Sequence, residues 1–430
     1  MASVTVPGVA GTVITYNNVF TNPQNTALAQ QIANALAAAS VAGSLTVNAD
    51  NGTSGPPPSS SGTNELAVST SGAVITVPTG YQFTVDSTGG GSGTILGVQN
   101  FIGGSGNLNV TNTAGSGTDT IAVGNGSDVL WLVQGSTYDV AAGNGADTFT
   151  AVGTGTITGG TGSNTFFIGG PTSAFGSASN TVFLNGTDTA NAGYGSATIT
   201  ASGTDLINNG PGADTDFLAG TATVNSFANT SSTIIGGPSA NPELVFGNTG
   251  ASQFISAGGT NLTFVAGSSD SATVLGGTNA ATLWGGSGSS ISFTGSAAGA
   301  LFIAGAGNET LNAASSASPV TLFGGSGGDS LVGGSGGDVL FAGSGSDTMT
   351  GGAGNNFFEF YKGVGGNHTI TDFSSNDLVA LFGGYGSAAG ANALAAATVS
   401  GGSTKIALSD NTTITFTNIT NPNSIKIYSA

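Results

Sequence analysis

Residues 324–358 read GGSGGDSLV, GGSGGDVLF, AGSGSDTMT and GGAGNNFF, four units at a fixed period of nine. The glycine-rich halves close on Asp329, Asp338 and Asp347, with Asn356 in the fourth, and the apolar halves carry Leu331, Leu340, Met349 and Phe358. Alternate glycines let the backbone bend tightly so that carbonyl oxygens converge, and the short Asp adds a carboxylate. Ca²⁺ is a hard cation that takes about six to eight oxygens, backbone carbonyls included, and suits such a turn. The remaining residues of each unit form a very short strand with one large apolar residue pointing inward. Two units make one coil of a flattened solenoid, so turns on one side recur every eighteen residues. Ions are then expected between turns 324–329 and 342–347, and between 333–338 and 351–356. The expected ligands are Gly324, Ser326, Asp329, Gly333, Ser335, Asp338, Ser344, Asp347 and Asn356. A flexible Gly-Ser linker does not place large apolar residues at every ninth position.

Period, glycines, acid and apolar residue together resemble the G-G-x-G-x-D-x-U-x nonapeptide of the repeats-in-toxin (RTX) calcium-binding proteins. Upstream the pattern returns in weaker form. AGSGTDTIA (114–122) runs directly into VGNGSDVLW (123–131), and AGNGADTFT (142–150), GGTGSNTFF (159–167) and NGPGADTDF (209–217) follow. These units add Asp119, Asp128, Asp147, Asn164 and Asp214 as candidate calcium ligands. GGTNAATLW (276–284) and GGSGSSISF (285–293) keep period, glycines and apolar residue without the acid. The whole stretch reads as one solenoid in which some turns bind calcium and others hold by hydrogen bonds.

The composition agrees. Of 430 residues 76 are glycine, only 6% are charged, and the net charge is −18 with three lysines and no arginine. A positive mean hydropathy argues against simple disorder. So few cations exclude nucleic-acid binding and disfavour anionic membranes. All but four of the 21 acids are Asp, and nine of those stand in the frame Gly-x-Asp, at 119, 128, 147, 188, 205, 214, 329, 338 and 347. Acids so placed read as turn ligands more than as a solvated surface. Cysteine is absent, the N-terminal sequence carries no standard signal peptide, and no apolar run reaches membrane-spanning length.

Four segments are expected. Residues 1–62 hold one or two strands, a helix over 23–40 with Asn22 as N-cap and Pro23 at its first position, and a Pro/Ser linker at 51–62. This segment is expected to cap the solenoid or to take part in assembly. Residues 63–320 form a degenerate solenoid, and 321–360 the calcium-binding β-roll. Residues 361–430 form a C-terminal β module. Its stretch 357–383 resembles the module that follows the repeats in RTX export substrates, at Gly366, Asn367, Thr369, Ile370, Asp372, Phe373 and Asp377. His368 stands where that family has Asp, and a lone His in a turn is expected to be a surface residue. The tail from Ser403 reads as a β-hairpin with a short final strand and resembles an uncleaved type I secretion signal.

No catalytic machinery stands out. The G-x-S-x-G matches at 324–328 and 333–337 lie inside nonapeptides without a strand–turn–helix setting, and no HExxH pair exists. Trp131, Trp284 and Tyr138 are of the type that stacks on sugars, but Trp131 and Trp284 close repeat units and read as packing residues. The fold class is therefore all-β, a parallel β-roll or β-solenoid with a short N-terminal helix and a C-terminal β cap. The resemblance implies a non-enzymatic calcium protein, exported by type I secretion to the medium or surface of a Gram-negative cell. There the chain is expected to assemble with itself as a surface layer, filament or biofilm matrix. The alternative is an RTX-type adhesin that binds cell-surface polysaccharide or another surface, with a polysaccharide-active enzyme less favoured.

Overall fold

The structure, a computed structural model, describes residues 3–20, 22–69, 72–115, 117–170, 178–239, 241–295 and 299–430. Ser116, within the 114–122 repeat, lies outside the described residues. The chain divides into two compact units, Met1–Ala222 and Thr223–Ala430, each an almost wholly β parallel solenoid. Successive solenoid strands alternate between two ladders, so most of them pair with the second one after rather than with the next.

In the first unit, one ladder climbs through Asn100–Ile102, Thr118–Ala122, Thr137–Ala141 and Thr154–Thr158. The other climbs through Leu108–Asn112, Val129–Leu132, Thr148–Ala151 and Thr165–Ile168. Strand alternation turns every second residue inward. Phe101, Ile121, Val140, Ile157 and Val182 thus stand in one register column and Val110, Leu130, Phe149 and Phe166 in the facing one. All are buried. Phe149 and Phe166 stack with centroids 4.8 Å apart and planes 2° from parallel, the separation that the strand spacing itself imposes.

The N-terminal residues lie on this unit's own flank. Ser3–Pro7 pairs antiparallel with Val13–Asn17, and the helix Pro23–Val41 follows, with the Asn22 side chain accepting the Asn25 N–H at 2.7 Å. Their apolar faces, including Tyr16, Phe20, Ile32 and Leu36, pack against Val85, Ile102, Ala122 and Ala141 on the outside of the first ladder. Residues 51–62 run between two coils, where the Tyr81 hydroxyl donates to the Pro57 carbonyl at 2.8 Å and the Ser60 N–H to Asn64 Oδ1 at 2.9 Å.

In the second unit the nonapeptides 324–358 fold two to a coil. Leu331 faces Met349 on one ladder, Leu340 faces Phe358 on the other, and all four are buried. The C-terminal strands complete both ladders: Thr413–Phe416 pairs parallel with Asn367–Ile370 and antiparallel with Ser403–Ala407. Ile427–Ser429 adds to Leu378–Phe382. A short helix, Ala389–Ala395, was not foreseen in an Ala-Gly stretch without a strong periodic stripe.

Candidate metal centre

The acids of the Gly-x-Asp turns are buried, and most form columns along the solenoid. In the first unit the backbone N–H of Leu108 donates to Asp128 Oδ1 (2.8 Å), that of Asp128 to Asp147 Oδ1 (2.9 Å) and that of Asp147 to Asn164 Oδ1 (3.0 Å). The Asn164 N–H then donates to Asp188 Oδ1 (2.8 Å) and the Asp188 N–H to Asp205 Oδ1 (3.1 Å). Each side chain therefore receives the backbone of the coil before it. The second unit repeats the device on both sides of its coil. There Glu309 leads to Asp329 (2.8 Å) and Asp347 (3.0 Å), while Val320 leads to Asp338 (2.8 Å), Asn356 (3.0 Å) and Asp377 (2.9 Å).

Of the expected ligands, Asp128, Asp147 and Asn164 come together in one column, as do Asp329 with Asp347 and Asp338 with Asn356. Asp119 and Asp214 do not join these columns. Asp119 lies second in the strand Thr118–Ala122, in register with Tyr138, and accepts from Asn112 Nδ2 at 2.8 Å, and Asp214 accepts the N–H groups of Ala197 (3.0 Å) and Gly210 (2.9 Å). Ser326 and Gly327 pair in parallel with Ser344 and Gly345, so these turns stack as a two-residue ladder. Gly324 lies in the first of these turns, and Gly333 and Ser335 lie in the 333–338 turn, where Ser335 donates its N–H to the Ser316 carbonyl at 2.9 Å.

Glycine is required where coils touch. A Cβ on Gly145 would meet the Gly126 carbonyl oxygen at 1.4 Å, and one on Gly345, itself at φ +123°, would meet that of Gly327 at 1.6 Å. Four column members lie outside the expected ligand set. Asp188 and Asp205 share the Gly-x-Asp frame, Asp377 sits in a C-terminal turn, and Glu309 holds the acid position of AGAGNETLN (304–312), where a search for Asp passes over it. His368 corrects the surface expectation. It is buried, with Nε2 3.0 Å from the Gly365 carbonyl and Nδ1 3.1 Å from Asp347 Oδ2, within ion-pair reach though poorly aligned for a hydrogen bond.

These turns fit calcium. Asp128 and Asp147 each leave Oδ2 buried without a protein partner, on consecutive coils. Burial pushes the Asp128 carboxyl up to about 8, with the Asp147 charge adding to the effect, and burial likewise lifts Asp147 to about 7. A cation between them removes that penalty. Among the described residues no three acidic or histidine side chains converge, so an ion here takes most of its oxygens from the backbone, as glycine-rich turns allow. In the second unit both carboxylate oxygens of Asp338 accept N–H groups, from Val320 and Gly334, and burial raises its pKa.

Stacked glycine turns lined by buried carboxylates define a calcium-binding β-solenoid. The family model of the RTX calcium-binding nonapeptide repeat matches in four copies, over residues 113–132 and 323–358. The chain carries RTX repeats, and Ca²⁺ is the ion that repeats of this kind bind. Repeats of this kind are characteristic of secreted Gram-negative proteins, and such solenoids are more often structural or adhesive than catalytic. No curated protein matches the chain. Among the described residues no helix is long and apolar enough to cross a membrane.

Proposed function

We propose that this is a secreted structural protein that folds on meeting extracellular calcium and then assembles with itself into a surface layer, filament or matrix. Type I export of the unfolded chain precedes folding. In the calcium-poor cytoplasm buried carboxylates oppose the fold, whereas extracellular modules bind Ca²⁺ with Kd values of about 10⁻⁴–10⁻³ M. The ion is held by the Asp and Asn columns, with Asp128, Asp147, Asp329, Asp338, Asp347 and Asn356 as side-chain ligands.

The observation that carries the assembly reading is an uncharged stripe on the outside of the second unit. Phe246, Val265, Trp284, Ile303, Phe323 and Phe341 stand in register on six successive coils. The column beside them, from Leu244 to Val339, holds only Leu, Thr and Val. Trp284 is 43% exposed, and the Phe323 and Phe341 rings stack 4.1 Å apart. A contiguous apolar face on a chain of net charge −18 lets two copies approach without repulsion. A second copy offers the same coil spacing and hence an in-register fit. Light scattering and electron microscopy in millimolar calcium test this. Growth of assemblies is expected, with its loss in Trp284→Lys/Phe323→Lys and no change in circular dichroism. A wild-type protein that stays monomeric at high concentration with calcium bound would falsify the reading.

A further inference from the structure

The first unit carries a groove that the calcium turns do not use. It lies on the outer side of the second ladder, encloses about 580 Å³, and is lined by Trp131, Gln134, Thr150, Phe167 and Asn191 together with small residues. Trp131, Thr150, Phe167 and Asn191 are consecutive rungs of one outward column. Trp131 is 52% exposed and Phe167 46%. At the usual strand spacing of about 4.8 Å, two rungs set these rings about 10 Å apart along the stack. Asn208 Nδ2 donates to Asn191 Oδ1 at 2.8 Å, which fixes that amide and leaves its NH₂ as the group to offer a ligand. Among the described residues no ionisable side chain lines the groove.

We propose that this groove binds a neutral, extended polysaccharide. Pyranose rings lie on Trp131 and Phe167, and Gln134, Thr150 and Asn191 meet their hydroxyls. A sugar presents an apolar C–H face rimmed by hydroxyls, and the negative face of an aromatic ring attracts those C–H groups. In an extended β-linked glycan successive rings alternate in orientation, so like faces return at every second residue, a distance of the same order as two rungs. The lining selects for neutrality, because the chain's net charge of −18 repels anionic ligands and no base compensates. The dimensions favour a glycan over a protein. The volume falls within the range of about 300–1,000 Å³ typical of small-ligand sites, whereas a stable protein interface buries about 800 Å² per partner. The helix Pro23–Val41 packs on the first ladder and not on this face. The site goes beyond the assembly reading and stands whether or not copies of the chain associate.

Titration of the full calcium-loaded chain with cellohexaose, followed by calorimetry and by Trp131 fluorescence in a Trp284→Phe background, tests the proposal. Saturable binding is expected, weakened about tenfold or more by either Trp131→Ala or Phe167→Ala. Circular dichroism should not change, and Trp284→Ala should have no effect on binding. Chitohexaose and laminarihexaose in parallel report which neutral linkage fits best. Three results would overturn the proposal: no binding of any of these glycans at millimolar concentration, binding that survives the double substitution, or a change of oligomeric state in place of a change in glycan affinity.

Discussion

The turns at 123–147 and those at 324–347 carry nearly the same residues yet use them differently. In the second unit the N–H groups of Gly325, Gly334 and Gly343 donate to the carboxylates of Asp329, Asp338 and Asp347 four residues on, at 3.0, 2.6 and 3.1 Å. Each turn is closed on itself. In the first unit the equivalent N–H groups point along the stack, from Gly124 to the Gly104 carbonyl at 3.1 Å and from Gly143 to the Gly124 carbonyl at 3.0 Å. Asp128 and Asp147 are left with bare oxygens. The cause lies in the N-terminal helix. Asn25 Nδ2 donates to the Val123 carbonyl at 2.6 Å and Asn22 Nδ2 to the Ala142 carbonyl at 2.5 Å. In a planar trans peptide the C=O and the following N–H point in opposite directions. Gripping the carbonyls of Val123 and Ala142 from outside therefore turns the N–H groups of Gly124 and Gly143 away from their own Asp. In one stack both oxygens of each Asp already accept N–H groups, and in the other Asp128 and Asp147 each keep one oxygen without a protein donor.

The largest expected consequence is a reversal of sign between the stacks in chelator. Asp128→Asn/Asp147→Asn should stabilise the calcium-free first unit by about 3 kcal/mol above pH 8, because it removes two buried, uncompensated charges. Asn164 shows how an amide fits this column, its Nδ2 reaching the Gly160 carbonyl at 3.1 Å. Asp338→Asn should instead cost about 1–3 kcal/mol, since its amide leaves the Gly334 N–H without an acceptor. Asn356 avoids that conflict by donating to the Gly352 carbonyl at 3.3 Å, with Gly352 at φ +81°. Hydrogen exchange over 123–151 and 324–358 reads both effects. Equal signs in the two segments would mean that the carboxylates play the same part in both. In calcium the first pair of substitutions should lower affinity, so the same variant is more stable without the ion and less responsive to it.

Residue types were enough to foresee the coil. Leu331, Leu340, Met349 and Phe358 are inward because a period of nine with one large apolar residue has no other consistent packing. Asn22 and Pro23 announced the helix by local capping chemistry. The direction of a peptide plane has no such signature. Asp128 and Asp338 share the frame Gly-x-Asp, and their difference is set by two asparagines about a hundred residues earlier in the chain. Asp119 shows the same limit: the frame is present, but its neighbour in register is Tyr138, so no column forms. His368 looked like a surface residue because the carboxylate beside it, Asp347, lies one coil away.

A smaller effect follows from protonation. Burial holds Asp128 at about 8 and Asp147 at about 7, both above the ordinary carboxyl value of about 3.9. A pKa raised on folding means the folded state binds protons more tightly. The stability it contributes is complete below about pH 4 and is lost as pH rises through about 7–8. In chelator the first unit should therefore gain protection on acidification from pH 8 to pH 5. With calcium bound the trend should invert, because protons and the ion compete for the same oxygens. Trp131 fluorescence in the Trp284→Phe background follows the unit concerned. Loss of structure on mild acidification in chelator would contradict the assignment of bare carboxylates to this stack.

The smallest effect tests the cause itself. Asn25→Ala removes one neutral hydrogen bond to the Val123 carbonyl, worth about 1 kcal/mol to the docking of the helix. It also frees the 123–124 peptide to rotate. The Gly124 N–H then has two acceptors within reach, the Gly104 carbonyl along the stack and its own Asp128, and the second is a charge-assisted bond. The turn should drift toward the closed arrangement seen at Gly334 and Asp338. Two readouts then move together. Calcium affinity of the first unit falls severalfold, because Asp128 has found a partner, while the pH dependence of the chelated protein flattens, because the Asp128 carboxyl is no longer bare. Simple loosening of the helix predicts a different pair of results: weaker protection of residues 23–41, with calcium affinity and the pH profile unchanged. If that second outcome is found, the orientation of the 123–124 peptide belongs to the coil's own stacking and the N-terminal helix is only a cover.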